Sequence, residues 1–114
     1  MIIDHRSYTV FPAKVGAFLE LWHSTALPLQ IEHAGRFLGM FLTDTGPLNT
    51  LLHMWAYDSA AERETRRAKL EALPEWQEYR RKLDELGALS FAETKIIRPA
   101  PFVTLEWPAV KVAS

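Results

Sequence analysis

Hydrophobic positions recur along the chain with two alternating periods, one of two residues and one of three to four residues. The two-residue period predicts strands over residues 2–10, 36–45, 49–57 and 88–98. The longer period predicts helices over residues 13–33, 59–73 and 74–86. The resulting order of strand, helix, strand, strand, helices and strand is that of a ferredoxin-like βαββαβ domain. We therefore expect an α+β fold, in which an antiparallel sheet carries helices on one face.

Proline, glycine and a capping pair mark the ends of the predicted helices. Pro28 lacks an amide hydrogen, so it should kink the first helix by removing one of its internal hydrogen bonds. Gly35 is expected to end that helix as a C-cap. Ser59 and Glu62 have the spacing of a capping box at the start of the next helix, and Pro74 fits the first position of the piece that follows.

The second and third strands are expected to form a hairpin in which Thr45 lies opposite Asn49. This register puts a wholly apolar set of side chains on one face: Leu38, Met40, Leu42, Leu52, Met54 and Ala56. The opposite face then carries Phe37, Gly39 and Phe41 across from Tyr57, Trp55 and His53. The small Gly39 would leave room for the Trp55 ring. Because helices cover only one of these two apolar faces, we expect a homodimer in which two sheets meet face to face.

The bulk composition bounds the class of protein. The chain has 114 residues, 48% of them hydrophobic, which suits one globular domain. We assign residues 1–102 to that domain and residues 103–114, where prolines oppose a regular ladder, to an extended tail. The formal net charge of -1 offers no general field for nucleic acid. The chain lacks cysteine, which excludes disulfides and cysteine metal sites. Neither a signal-type leader nor a membrane-spanning run is evident, so a cytoplasmic location is expected.

The row His53, Trp55 and Tyr57 is the first candidate for chemistry. An imidazole exchanges protons near neutral pH, and an indole and a phenol can orient an aromatic substrate by stacking and hydrogen bonding. The alternative interpretation is a buried aromatic cluster whose polar atoms are satisfied inside the sheet or at the dimer interface. Aromatic rows on strands more often pack than bind, which favours the structural alternative.

The first strand supplies a second candidate. Arg6 and Tyr8 share a face, and the fold places their strand beside that of His53. The Arg6 guanidinium could hold a carboxylate or enolate oxygen. It could equally pair with Asp4, Glu93 or a helix carboxylate, because a charged residue on a central strand needs a partner in either case.

The other candidate residues carry weaker signals. Phe41 would join the aromatic face as a substrate contact, and Asn49 could orient a substrate oxygen or act only as a turn residue. No pair among the four histidines has the spacing of a metal clip, so no metal and no cofactor, haem included, are expected. The basic run in the helical region is expected to be a solvated face, since glutamates interleave with it: Arg63, Arg66, Arg67 and Lys69.

The ordered set of motifs resembles the NIPSNAP family over roughly residues 2–102. The resemblance rests on Arg6 and Tyr8, on the Gly39 strand, and on the run Gly46-Pro47-Leu48-Asn49 that leads into His53-Met54-Trp55-Ala56-Tyr57. It is completed by Arg63, Arg66 and Arg67, by Pro74-Glu75-Trp76, and by the closing segment from Pro99 to Phe102.

The resemblance implies a dimeric α/β barrel of the ferredoxin-like class. Related barrels include monooxygenases that work without a prosthetic group, isomerases and haem enzymes, so the fold leaves the reaction open. We expect a pocket for a small apolar or aromatic molecule, in which His53 or Tyr57 relays a proton, Arg6 stabilises an oxyanion and Trp55 stacks on the substrate. The alternative is a non-catalytic binding or assembly module in which the same aromatic residues hold two sheets together.

Overall fold

A computed structural model describes residues 1–113 as a four-stranded antiparallel sheet with helices packed against it. The strands are β1 (Ile2–Val10), β2 (Arg36–Leu42), β3 (Thr50–Tyr57) and β4 (Leu89–Ile97). Their spatial order is β2-β3-β1-β4, so the first strand lies at the centre. This topology confirms the predicted α+β, ferredoxin-like class.

The first helical region is continuous but changes its winding. A short 3-10 turn at Pro12–Lys14 leads into α1 (Val15–Leu21), a π-helical turn (Trp22–Ala26) and α2 (Leu27–His33). Pro28 lies in the first turn of α2, directly after the π turn. Since proline cannot donate a helical hydrogen bond, the extra residue of the π turn accommodates the interruption that the sequence predicts there.

The second helical region comprises α3 (Ala60–Ala72) and α4 (Pro74–Leu86). Ser59 caps α3, because its Oγ accepts a hydrogen bond from the Glu62 amide at 3.1 Å. The Glu62 carboxylate bonds back to the Asp58 amide at 2.7 Å, one residue earlier than a standard capping box requires. Gly87 ends α4 in the left-handed conformation, with φ 60°.

The helices cover the sheet face that carries the aromatic row. His53 and Trp22 have ring centroids 5.2 Å apart, and Tyr8 lies edge to face with Phe18 at 6.2 Å. Trp55 is also fully buried on this face. The aromatic row of β3 is therefore part of the main hydrophobic core, between the sheet and the helix layer.

The predicted hairpin register is wrong. Phe37 pairs with Trp55, and a bulge before Gly39 then shifts the pairing so that Phe41 lies opposite Leu52. Gly39 has φ +131°, and a Cβ on it would lie 2.8 Å from the Phe41 ring, so this glycine makes room for Phe41 rather than for Trp55. Phe41 consequently lies on the outer face of the sheet and is 51% exposed.

The segment after β4 joins the two edges of the sheet. The Trp107 ring lies 5.2 Å from the guanidinium of Arg36, at the start of β2 on the edge opposite β4. Farther on, the Ala113 carbonyl lies 3.0 Å from Nε2 of His23 in the π turn. Residues 98–113 contain no helix or strand, and the contacts of Trp107 and Ala113 lie on the body of the domain. The division at residue 102 remains a prediction.

The helices are short. The two longest, α3 and α4, have 13 residues each, whereas a bilayer requires about 20 apolar residues. No helix within residues 1–113 has the length and apolar character needed to cross a membrane.

Gly35 is required where the chain passes from α2 into β2. It does not form the predicted C-cap, since Ala34 occupies that position with φ -90°. A Cβ on Gly35 would instead lie 2.4 Å from the Ala56 carbonyl oxygen and 3.0 Å from the Tyr57 ring. The glycine allows a close approach between the helix end and β3.

We predict that Gly35→Ala lowers the free energy of unfolding by about 1–3 kcal/mol, because the backbone of β3 must move to admit the methyl group. The matched control is Gly16→Ala, since a Cβ at that helical position has no neighbour within 4 Å. The control should raise stability by about 0.5–1 kcal/mol. Denaturant unfolding measures both, and an unchanged Gly35→Ala midpoint would contradict the close contact.

Candidate functional site

Asp4 lies on the central strand with its carboxylate fully buried. Its Oδ2 accepts a hydrogen bond from Arg63 Nε at 3.0 Å and a longer one from an Arg6 terminal nitrogen at 3.4 Å. A buried carboxylate is tolerated only when cations or hydrogen-bond donors compensate its desolvation. These two bonds join α3 to β1 and hold Arg6 against the helix-covered face.

Arg6 is tied to Tyr8 as well. Its Nε donates to the Tyr8 hydroxyl oxygen at 3.3 Å. Burial by itself would lower the pKa of Arg6, but the interactions with Tyr8 and Asp4 outweigh it and raise the pKa above the ordinary value. The guanidinium is therefore a permanent charge. Because the Tyr8 oxygen accepts from Arg6, its own hydroxyl proton is free to be donated to another group.

A cavity of about 410 Å³ opens beside Arg6 and Tyr8, between the sheet and the helices. Its aromatic walls come from both helical regions and comprise Phe18, Trp22, Trp76 and Tyr79. Its charged lining comprises Arg6, Arg67, Arg80 and Asp84. A small ring could thus lie among aromatic side chains while its polar substituents meet charged groups.

Two polar groups in the cavity lining are buried without a partner in the described part of the chain: Gln30 Oε1 and Trp76 Nε1. Both residues are nearly inaccessible, at 4% and 6% exposure. Leaving such a group unsatisfied costs about 1–3 kcal/mol. Tyr79 adds a third polar group, and burial raises its pKa, so its hydroxyl stays neutral and can donate. Gln30 Oε1 and Trp76 Nε1 are themselves closed to water, so an occupant would reach them only after a shift of the lining side chains.

His53 lies directly opposite Arg6 in the sheet and is 1% exposed. Its Nδ1 is 2.7 Å from Trp55 Nε1. An indole nitrogen can only donate, so Nδ1 must be the unprotonated nitrogen and the neutral ring carries its proton on Nε2. Burial, followed by the charge of Arg6, lowers the pKa of His53 to about 3. The imidazole is thus a neutral partner of Trp55 at physiological pH.

The predicted site residues are only partly brought together. Arg6 and Tyr8 line the cavity, whereas His53, Trp55 and Tyr57 are not among the described residues that line it. Tyr57 is 1% exposed, and burial raises its pKa.

The two remaining candidates lie away from the cavity. Phe41 is on the outer face of the sheet, opposite Leu52. Asn49 is in the hairpin turn with φ 64°, and its carbonyl accepts the Val10 amide at 2.9 Å. Asn49 therefore has the geometry of a turn residue, the alternative that the sequence left open.

The sequence patterns did not single out several cavity residues. Trp76 and Tyr79 belong to the apolar stripe of α4, which marks an inward face without distinguishing a pocket from solid core. The solvated-face prediction for the basic run is wrong for Arg63 and Arg67, whose side chains are only 23% and 19% exposed. Their spacing of four residues, one helical turn, was the signal that both point the same way.

The described residues contain no group of three histidine or acidic side chains that could hold a metal ion. The polar groups of the cavity are mainly donors and cations, which suit anionic or carbonyl oxygen atoms rather than a metal.

The sequence pattern of the NIPSNAP family matches residues 3–104, nearly the whole chain. The chain belongs to the NIPSNAP family. This NIPSNAP protein is similar to human Protein NipSnap homolog 3A, with 32% identity over 106 residues. The match covers 92% of the chain and 42% of the human protein, so the chain spans less than half the length of that relative.

Solved structures support the same relationship. A NIPSNAP domain protein from Burkholderia xenovorans superposes with a TM-score of 0.84 and 30% identity, covering 91% of this chain and 99% of the other. A protein from Nitrosomonas europaea described as a putative antibiotic biosynthesis monooxygenase superposes with a TM-score of 0.64 at 14% identity, covering 87% of this chain and 98% of the other. The second comparison shows a shared fold alone.

The low pKa of His53 predicts a pH-dependent stability. In the unfolded chain the imidazole has a pKa near 6.5, so below that pH the unfolded state binds a proton that the folded state excludes. The stabilisation is complete above pH 6.5 and is lost as the pH falls towards the folded pKa of about 3. We expect the contribution of His53 to fall by about 2 kcal/mol between pH 7 and pH 5.

His53→Asn should remove this contribution and flatten the pH dependence of the unfolding free energy, measured by denaturant titration at several pH values. His23→Asn, at an exposed position, is the matched control and should keep the wild-type slope. Equal slopes for wild type and His53→Asn would mean that His53 takes up its proton freely in the folded protein.

Proposed function

We propose that this NIPSNAP protein is a homodimer that binds a small, partly aromatic molecule in the cavity beside Arg6 and Tyr8. The observation that carries the proposal is a cavity with aromatic walls, a fixed guanidinium and buried polar groups that lack partners in the described chain. Its volume of about 410 Å³ falls within the range of about 300–1,000 Å³ usual for small-molecule sites.

The lining favours chemistry that develops negative charge on an oxygen atom. Arg6 is held in place by Asp4 and Tyr8, so it need not reorganise when an oxyanion forms. The free hydroxyl proton of Tyr8 adds a second donor. Arg6 and Tyr8 would stabilise the oxyanion of an enolate formed from a carbonyl compound. Enolate chemistry is the kind used by cofactor-free oxygenases and isomerases.

The acid and base roles need different residues from those the sequence suggested. The buried cluster of His53 and Tyr57 is separate from the cavity lining, and His53 is neutral with one nitrogen bonded to Trp55. Asp84 is the one carboxylate among the described lining residues, and it is exposed. We therefore assign oxyanion stabilisation to Arg6 and Tyr8, with Asp84 as the candidate proton acceptor.

The homodimer is supported by the outer face of the sheet. Phe41, Phe91 and Ile97 lie on this face and are 51%, 59% and 39% exposed. Between them, Leu52 and Met54 of β3 are half-buried. These exposed apolar side chains share the face with His5, Ser7, Glu93 and Lys95. Their exposure is unfavourable in water, and a two-fold pairing of two sheets would cover them in both copies.

A non-catalytic assembly module is the alternative. The bond between His53 and Trp55 and the close rings of Phe37 and Trp55, with centroids 4.7 Å apart, favour it, because they make the aromatic row a closed packing unit. In that case the outer face would be the functional surface, and the cavity would contain only water.

Two substitutions separate these functions. Ala92→Phe places a ring in the cavity from β4, opposite Tyr8, and should abolish the binding of small phenols and naphthols while the protein stays dimeric. Phe91→Glu places a charge on the outer face and should convert the dimer to monomers. Light scattering after gel filtration measures the assembly, and protein-observed NMR measures the binding.

Ala68→Phe and Leu48→Glu, both at exposed positions outside these two surfaces, are the matched controls and should change neither property. If no phenol or naphthol perturbs the cavity residues of the wild type while Phe91→Glu still dissociates the dimer, the assembly alternative is correct. A monomeric wild type would contradict the dimer.

A further inference from the structure

The proposed cavity has a local excess of positive charge, and we propose that its ligand is a monoanion, specifically an aromatic carboxylate. This inference rests on the proposed function and names the ligand class of the same site. It assigns the recognition of the carboxylate to the guanidinium groups of Arg6 and Arg67 and to the indole N–H of Trp76.

The charges around the cavity do not balance. Four guanidiniums belong to the site: Arg6, Arg67 and Arg80 in the lining, and Arg63 behind Arg6. Three carboxylates oppose these positive charges. Asp4 is shared by Arg6 and Arg63, and Glu71 bonds to Arg67 at 3.3 Å. The third carboxylate is that of Asp84, in the lining. One positive charge is therefore uncompensated in a protein whose formal net charge is -1. One negative charge on the ligand would restore neutrality.

The polar groups of the lining residues indicate the polarity of the ligand. Trp76 Nε1 can only donate, so the atom it meets must be an acceptor. The Gln30 carboxamide contains both a donor and an acceptor and can meet either kind of atom. Tyr8 has a free hydroxyl proton, because its oxygen accepts from Arg6. A carboxylate, with two oxygens that only accept, matches this set of donors better than a neutral amide or alcohol does.

The remaining walls define the rest of the ligand. Phe18, Trp22 and Tyr79 offer ring faces and edges to an aromatic body. A phosphate ester, with up to two negative charges, would leave the site with an excess of negative charge. The lining also differs from a phosphate site in its structure, since its donors are side chains rather than a row of backbone amides.

The test uses a matched pair of probes, 2-naphthoate and 2-naphthamide, which share a ring system and differ in charge. The protein has four tryptophans, so its amide spectrum contains four indole N–H signals, and Trp76→Phe assigns the cavity signal by removing it. Trp107 lies on the tail and is the internal control. We expect 2-naphthoate to shift the Trp76 signal, to leave Trp107 unchanged, and to bind about ten- to a hundredfold more tightly than the amide.

Arg67→Gln should reduce this preference by about tenfold or more, because the affinity for 2-naphthoate falls further than the affinity for 2-naphthamide. Arg81→Gln is the matched control, since Arg81 is on α4, is exposed, and bonds only to Glu78 and Glu85 in the described chain. Added salt should weaken the binding of the carboxylate alone.

Equal or tighter binding of 2-naphthamide at Trp76 would overturn the anion preference while leaving the cavity as a binding site. A Trp76 signal that neither probe moves would overturn both this inference and the proposed function. A carboxylate preference that survives Arg67→Gln would overturn the assignment of the charge to Arg67.

Discussion

The buried carboxylate of Asp4 is the constraint on which the rest of the structure depends. It lies on the central strand, is inaccessible to water, and is compensated by Arg63 from α3 and Arg6 from its own strand. Removing one partner of a buried ion pair typically costs about 3–5 kcal/mol, because an uncompensated charge remains. Neither arginine can therefore move away cheaply. The position of α3 over the sheet and the direction of Arg6 follow from this one group.

Arg6, fixed by Asp4, contacts two neighbouring regions with different properties. On one side it faces His53, where burial and the arginine charge keep the imidazole neutral and bonded to Trp55. On the other side it lines the cavity together with Tyr8. The helix-covered face of the sheet is thus divided into a closed aromatic cluster over β3 and an open, positively charged cavity over β1 and β4. The first contributes packing, and the second is the region to which we assign ligand binding.

Local sequence signals predicted the elements because each signal acts within a few residues. Ser59 caps α3 and Pro74 begins α4, at the predicted positions. The hairpin register could not be predicted, because the bulge before Gly39 depends on tertiary packing. It reflects how β2 packs against the helices and the space that Gly39 leaves for the Phe41 ring. One extra residue in a strand turns every later side chain to the opposite face of the sheet. For this reason Phe41 lies on the outer face, away from the expected site.

The candidate site was predictable only where its residues share one strand. Arg6 and Tyr8 were found together because a two-residue period places them on one face. Gln30, Arg67 and Trp76 come from three different helices, and their convergence is a property of the tertiary structure that no spacing in the chain encodes. The family resemblance supplied the fold correctly but no ligand, since one fold supports many chemistries.

The most direct test of the central claim is a double-mutant cycle on Asp4→Asn and Arg63→Gln, with unfolding free energies from denaturant titration. If the pair organises the helix layer, each single change should cost about 3 kcal/mol, and the double change should cost little more than one of them, giving a coupling of about 2 kcal/mol or more. Additive losses, with a coupling below about 0.5 kcal/mol, would contradict the claim that this buried carboxylate determines the architecture of the site.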